Sequence, residues 1–227
     1  MYPNITTPLR KIISAGVIAS LIAFTAYCGG EQSSQSAAPA GQAADIGQAD
    51  AVYSADAGAS SITWKGSKLY ESDIHTGTIA LESGKLGFKD GAPVAGSFTI
   101  DMTSIQNTDI ENAEYNAKLV GHLKNEDFFD VEKFPTAKFE IVSVSPGSAA
   151  NEYNITGNLT IKSITKSISG TATIANNADG AEANAKLIFD RTQFNVQYGS
   201  ESTFADLAKD KVIDDKIEIA MKIALAK

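Results

Sequence analysis

Few side chains in this sequence are able to do chemistry, and their spacing narrows what that chemistry is. There are two histidines, His75 and His122, and one cysteine, Cys28. A zinc-type centre needs three or four His, Cys or carboxylate ligands held together, and neither histidine has a second ligand type at that spacing. Each histidine suits a polar head group, a titration near neutral pH, or a plain structural role. Asp190-Arg191, at a strand end, suits recognition of a polar head group or the tying of a loop to a nearby carboxylate. Asp127 and Asp130, flanking Phe128 and Phe129, suit caps or turn acceptors. Trp64 and Tyr70 read as inner or rim aromatics. No serine sits in a nucleophile elbow, no glycine-rich phosphate loop opens a helix, and the only thiol lies near the N-terminus. A nucleophile with its base is missing, so the sequence reads as a non-enzyme without metal or cofactor.

Charge excludes a further class. The 227 residues carry 19 Lys plus Arg against 27 Asp plus Glu, a net −8. Nucleic-acid binding rests on neutralising phosphates, so this acidic balance argues against such a partner.

The charge is unevenly placed. Arg10 and Lys11 are the only charged residues before Glu31, and an apolar run from Ile12 to Tyr27 follows them. A basic start, an apolar stretch and then small residues form the pattern of an export signal, here residues 1–27. Its loss removes two of the 19 basic residues and none of the 27 acidic ones, which moves the net charge from −8 to −10. Cys28 followed by Gly29 and Gly30 resembles a bacterial lipoprotein signal. That resemblance implies acylation of Cys28 and, with glycine after the cysteine, a place at the outer membrane. Tyr27 departs from the small residue usual there, and the alternatives are a thiol left in a signal cut a few residues later or an uncleaved N-terminal anchor. Residues 28–55, rich in Gln, Ser, Ala and Gly, cannot bury enough surface to offset ordering entropy and read as a flexible tether.

From residue 56 to 227 the apolar period is mostly two. Phe98, Ile100 and Met102 alternate with polar neighbours, and so do Ile217, Ile219, Met221, Ile223 and Leu225. About eight or nine antiparallel strands follow, with 76–81 and 85–89 read as separate ones. Asp90-Gly91, Pro146-Gly147 and Asp179-Gly180 supply turns. A sheet that is apolar on one face must close or be covered, and closure also removes its edges. The fold class is therefore all-β, an up-and-down antiparallel barrel. Small residues on the inner parity, such as Gly77, Gly96, Gly157, Gly170, Ala172 and Ala183, favour room for one ligand, although Gly in a strand also marks bends. One segment has helical spacing: Ile110, Ala113, Ala117, Val120 and Leu123, with Asn107 or Thr108 as N-cap. A turn over 125–132 and a smaller excursion over 203–209 complete the covering of one barrel end.

The run from Gly121 to Glu140 contains His122-Leu123, then Asp127-Phe128-Phe129-Asp130-Val131, then Phe134-Pro135. It resembles the signature of the YceI family. Trp64-Lys65-Gly66 with His75 and Gly77, Gly157 to Ile161 with Thr165-Lys166, and Asp190-Arg191 with Phe194 agree in order. Two departures concern turns: Asn195 and Ser163 stand where the family usually has Gly. The resemblance implies a lipocalin-like barrel whose apolar cavity holds an isoprenoid or similar long-chain lipid. Its implied lining is Trp64, Phe98, Ile100, Phe128, Phe139, Ile141, Leu159, Ile161, Leu187, Phe189, Ile219 and Met221. Burial of about 0.8 kcal/mol per methylene gives three or four isoprene units roughly 12 kcal/mol gross, before ordering and association costs. The alternative is a filled barrel whose outer surface binds an envelope partner, since apolar rows are most often core.

Overall fold

The alternation of apolar and polar residues runs through eight long strands that close on themselves. The computed structural model describes residues 38–69, 73–176, 180–204 and 206–227. Cys28, the expected signal at 1–27 and Tyr70 lie outside the described residues. After a two-residue strand β1 (Ala38–Pro39) come β2 (Ala51–Ser67), β3 (Ile74–Lys89) and β4 (Ala92–Asn107). The helix α1 (Ala113–Lys124) precedes β5 (Thr136–Pro146), β6 (Glu152–Ile161), β7 (Ile164–Asn176), β8 (Gly180–Asp190) and β9 (Lys216–Ala226). Each strand from β2 to β9 pairs antiparallel with the next, and β9 returns to β2, so the eight form a closed up-and-down barrel.

Residues 76–81 and 85–89 form one strand rather than two. Across β3 and β4, Leu81 faces Ile100 and Ser83 faces Thr99, so Glu82 is an extra residue. That bulge shifts the inward parity, which lets Leu81 and Leu86 both be buried and breaks the period. The β3–β4 turn is Asp90-Gly91 with both φ positive, the hairpin geometry this pair favours. The two family departures occupy left-handed positions as well, Ser163 at φ 61° and Asn195 at φ 58°. Both are places where glycine is at ease and Asn tolerates the conformation.

Part of the segment expected as a tether, residues 38–55, lies on or in the barrel. Gly41 is held from both sides by Asn158, whose Oδ1 accepts from its N–H at 3.0 Å and whose Nδ2 donates to its carbonyl at 2.7 Å. Ala44 N–H donates to the Ile141 carbonyl, and β1 adds to β7. Residues 38–50 therefore strap the outside of the barrel through backbone bonds, which low hydrophobicity does not reveal.

The two barrel ends differ. Hairpins of two to five residues join strands at one end, whereas the segments 108–135 and 191–215 cross the other, capped end. The short-hairpin end is filled by Tyr53, Leu86, Phe88, Ile141, Ile174 and Leu225. The inward small residues are filled as well. The Trp64 ring lies directly against Gly77, and a Cβ at Gly157 would collide with the Phe139 ring. Phe98 covers Gly84 in the same way, and Leu187 covers Gly170. These glycines make room for a large neighbour across the strand, and the open space lies elsewhere.

The helix begins at Ala113, not near Asn107. Its N-cap is Asn112, which accepts from the N–H groups of Glu114 and Tyr115 at 3.0 and 3.1 Å. Asn107 ends β4 instead, and its side chain is used elsewhere: it donates to the Thr76 carbonyl and Asp109 and accepts from the Ile110 N–H. Asn116, Leu119, Val120 and Leu123 are half-buried, with Ala113 and Ala117 exposed. Asn116 is drawn in because its amide bonds the Asn107 and Ile110 carbonyls, both at 3.1 Å. A polar residue on the inner face misleads a hydrophobic period. The excursion after β8 contains a short 3₁₀ turn at Lys209–Lys211, slightly later than expected.

Candidate functional site

Under the capped end lies a cavity of about 300 Å³. Leu119 and Leu123 of α1 with Phe128 and Phe129 of the following turn contribute its cap. Of the twelve residues expected in the lining, ten are brought together there: Trp64, Ile100, Phe128, Phe139, Leu159, Ile161, Leu187, Phe189, Ile219 and Met221. Phe98 and Ile141 are not. They share the inward parity but sit farther from the cap, where Phe98 packs over Gly84 and Ile141 stands beside Gly96. Parity assigns a face, not a depth along the barrel axis. Leu119, Phe129 and Ile213 were missed because they come from the connections that cross the end. Ile105 and Met102, on β4, extend the same wall.

Cations near this end are already committed. Arg191 is 1% exposed. Its Nε donates to the Asp214 carbonyl, Nη1 to those of Val196 and Tyr198, and Nη2 to the Ile213 carbonyl and the Asp215 carboxylate, all at 2.8–3.3 Å. All five guanidinium N–H groups are thereby used. Burial lowers its pKa against the pull of Asp215, and the group remains a cation. Its role is the loop tie that Asp190-Arg191 suggested, with four carbonyls and one carboxylate as partners. Lys162, at the β6–β7 turn, donates to the carbonyls of Phe128 and Asn195 at 2.9 and 3.1 Å and, more distantly, of Glu126. Burial pushes this ammonium below its usual value, against the pull of Asp130. It staples the cap turn to the loop after β8.

His122 sits between Phe128 and Tyr198 in two edge-on contacts at 4.8 and 4.5 Å, with Nε2 3.1 Å from Asp127. His75 stands at the cavity mouth with Ser67, Lys68 and Asp73. Its Nδ1 is 2.9 Å from Asp109 Oδ2. Asp109 Oδ1 accepts from the Thr76 N–H at 2.7 Å and from Asn107 Nδ2 at 2.6 Å. Burial alone would raise the Asp109 carboxyl, but the hydrogen bonds from His75, Thr76 and Asn107 outweigh it and hold the group below its ordinary range. Among the described residues no cluster of three His, Cys, Asp or Glu is placed to hold a metal, and every buried side-chain polar atom has a partner.

The YceI-like domain matches residues 53–225. The chain belongs to the YceI family. An UPF0312 protein of Photorhabdus laumondii is 27% identical over 139 residues, covering 58% of this chain and 69% of that protein. One from Pseudomonas putida is 30% identical over 123 residues, 53% of this chain and 58% of its relative, so the chain spans little more than half of that protein. The crystal structure of Burkholderia cenocepacia BcnA superposes with a TM-score of 0.58 at 23% identity, over 76% of this chain and 99% of that one. That likeness supports the lipocalin-like fold. A barrel of the YceI family with this interior is consistent with holding an apolar ligand.

Proposed function

We propose that this protein binds a long-chain apolar lipid of the isoprenoid kind inside the barrel, for carriage, storage or sensing in the bacterial cell envelope. The observation that supports this reading is the cavity itself: apolar, under a cap, and walled by residues from β2, β3, β4, β5, β6, β8 and β9. Its 300 Å³ is at the low end of ligand sites, which run from about 300 to 1,000 Å³. A short chain fits inside, and a longer one leaves through the mouth beside His75. A ligand chosen by length and shape gains affinity from each buried methylene. Acylation of Cys28 would hold the barrel at a membrane.

Protein purified without denaturant and extracted with organic solvent is expected to release a long-chain lipid in near-stoichiometric amount by mass spectrometry. An extract without such lipid, together with failure of the folded, delipidated protein to take up any apolar chain, would overturn the reading. The anchor is tested apart from it, by fatty-acid labelling that is lost in Cys28→Ala and by a globomycin-sensitive mobility shift.

A further inference from the structure

Apart from the saturated Arg191, the charged and hydrogen-bonding side chains Ser67, Lys68, Asp73 and His75 come from the end of β2, the start of β3 and the connection between them. An apolar tube with its polar groups at one side of the mouth is built for an amphiphile, with the head placed there. The hydrogen bonds around His75 say which kind of head. Asp109 is held as a carboxylate, an acceptor only, so His75 Nδ1 must carry the proton that joins them. In the neutral imidazole this leaves Nε2 as an acceptor. Nε2 is 3.9 Å from Asp73 Oδ1, beyond hydrogen-bond reach. A head group that donates a proton is therefore the complement.

Charge points the same way. Lys68 Nζ is paired with Asp73 at 3.0 Å, and Arg191 is committed to its loop. Lys68 is neutralised by Asp73 and Arg191 by Asp215, which leaves the Asp109 carboxylate behind His75 and neither lining cation to spare for a phosphate or carboxylate head. We propose that His75, oriented by Asp109, is the head-group subsite, and that it selects apolar chains ending in a hydroxyl. This rests on the lipid-binding reading above.

The test uses delipidated full-length protein at about pH 8. Farnesol, farnesyl methyl ether and farnesyl phosphate are titrated by displacement of a fluorescent apolar probe. Farnesol is expected to bind about tenfold tighter than the ether, the worth of one well-made hydrogen bond, and the phosphate most weakly. His75→Phe should bring farnesol to the level of the ether while the ether keeps its affinity, which reports an intact cavity. Asp109→Asn is the sharper variant. Thr76 N–H and Asn107 Nδ2 both bond Oδ1, so an Asn there keeps its oxygen toward them and turns its amide nitrogen to His75. The imidazole then protonates at Nε2 and the alcohol loses its advantage, although both ligands still bind. Equal binding of alcohol and ether to the wild type would overturn the subsite and leave the cavity reading standing. Tightest binding of the phosphate would overturn it as well. Binding of none of the three would overturn the cavity reading, and the subsite with it.

Discussion

Replacing Ala137 by Leu separates a ligand cavity from a filled core, because the two give opposite signs. Ala137 is 5% exposed, lines the cavity and lies opposite Ile100 on β4. The substitution adds three carbons. If they enter space that is open in the lipid-free protein, burial at about 0.8 kcal/mol each contributes roughly 2.4 kcal/mol. Fixing the leucine rotamer removes about 0.5–1 kcal/mol of this. A net stabilisation of about 1.5–2 kcal/mol should raise the melting temperature by about 3–8 °C for a domain of this size. The same carbons take the place of ligand carbons, so affinity for farnesol should fall about fiftyfold. Urea unfolding of the delipidated protein, with probe displacement in parallel, measures both: the midpoint should rise at constant slope. Destabilisation by about 1–3 kcal/mol, as overpacking gives, would show that the space is closed in solution and refute the reasoning.

Two further outcomes follow from the committed charges. Arg191→Lys keeps the cation but has three donors where five are used, so it should cost about 2–3 kcal/mol in urea unfolding and leave Trp64 fluorescence in the native state unchanged. Asp109 is held below its ordinary value of 3.8. A depressed carboxyl contributes stability that is fully present above the unfolded value and is lost as pH falls through the folded one. Glu218, lowered chiefly by its hydrogen bond from Lys186, acts in the same direction below 4.5. The urea midpoint should therefore fall as pH drops below about 4.5, and Asp109→Asn should flatten the part of the fall below 3.8.

The barrel was legible in the sequence because closure demands one apolar face on every strand, and Ile217 to Leu225 displays that face without interruption. What misled were places where something other than the period decides. Glu82 is an extra residue that only its partner strand reveals. Asn116 lies inward for the sake of two carbonyls, and no hydropathy pattern records a hydrogen bond. The glycines at 77 and 157 suggested open space, and each is instead covered by an aromatic ring from the neighbouring strand. Cavity depth was the least legible feature. Phe98 and Ile100 share a face, yet only Ile100 reaches the space under the cap. His75 and Asp109 are 34 residues apart, and their pairing follows from the β3–β4 register and from Asn107, not from spacing.

The seam between β2 and β9 sets the order of assembly. Every other neighbouring pair in the ring is adjacent in the chain, so those hairpins and the helical excursion can form locally. The seam joins, for example, Thr63 to Ala220, 157 positions away. Until β9 docks, the rest is an open sheet with two bare edges and an uncovered apolar face, the state most prone to join another copy. A lesion in the seam, such as one at Ile219, should therefore appear first as lost yield during refolding at raised concentration, before any defect in the finished barrel.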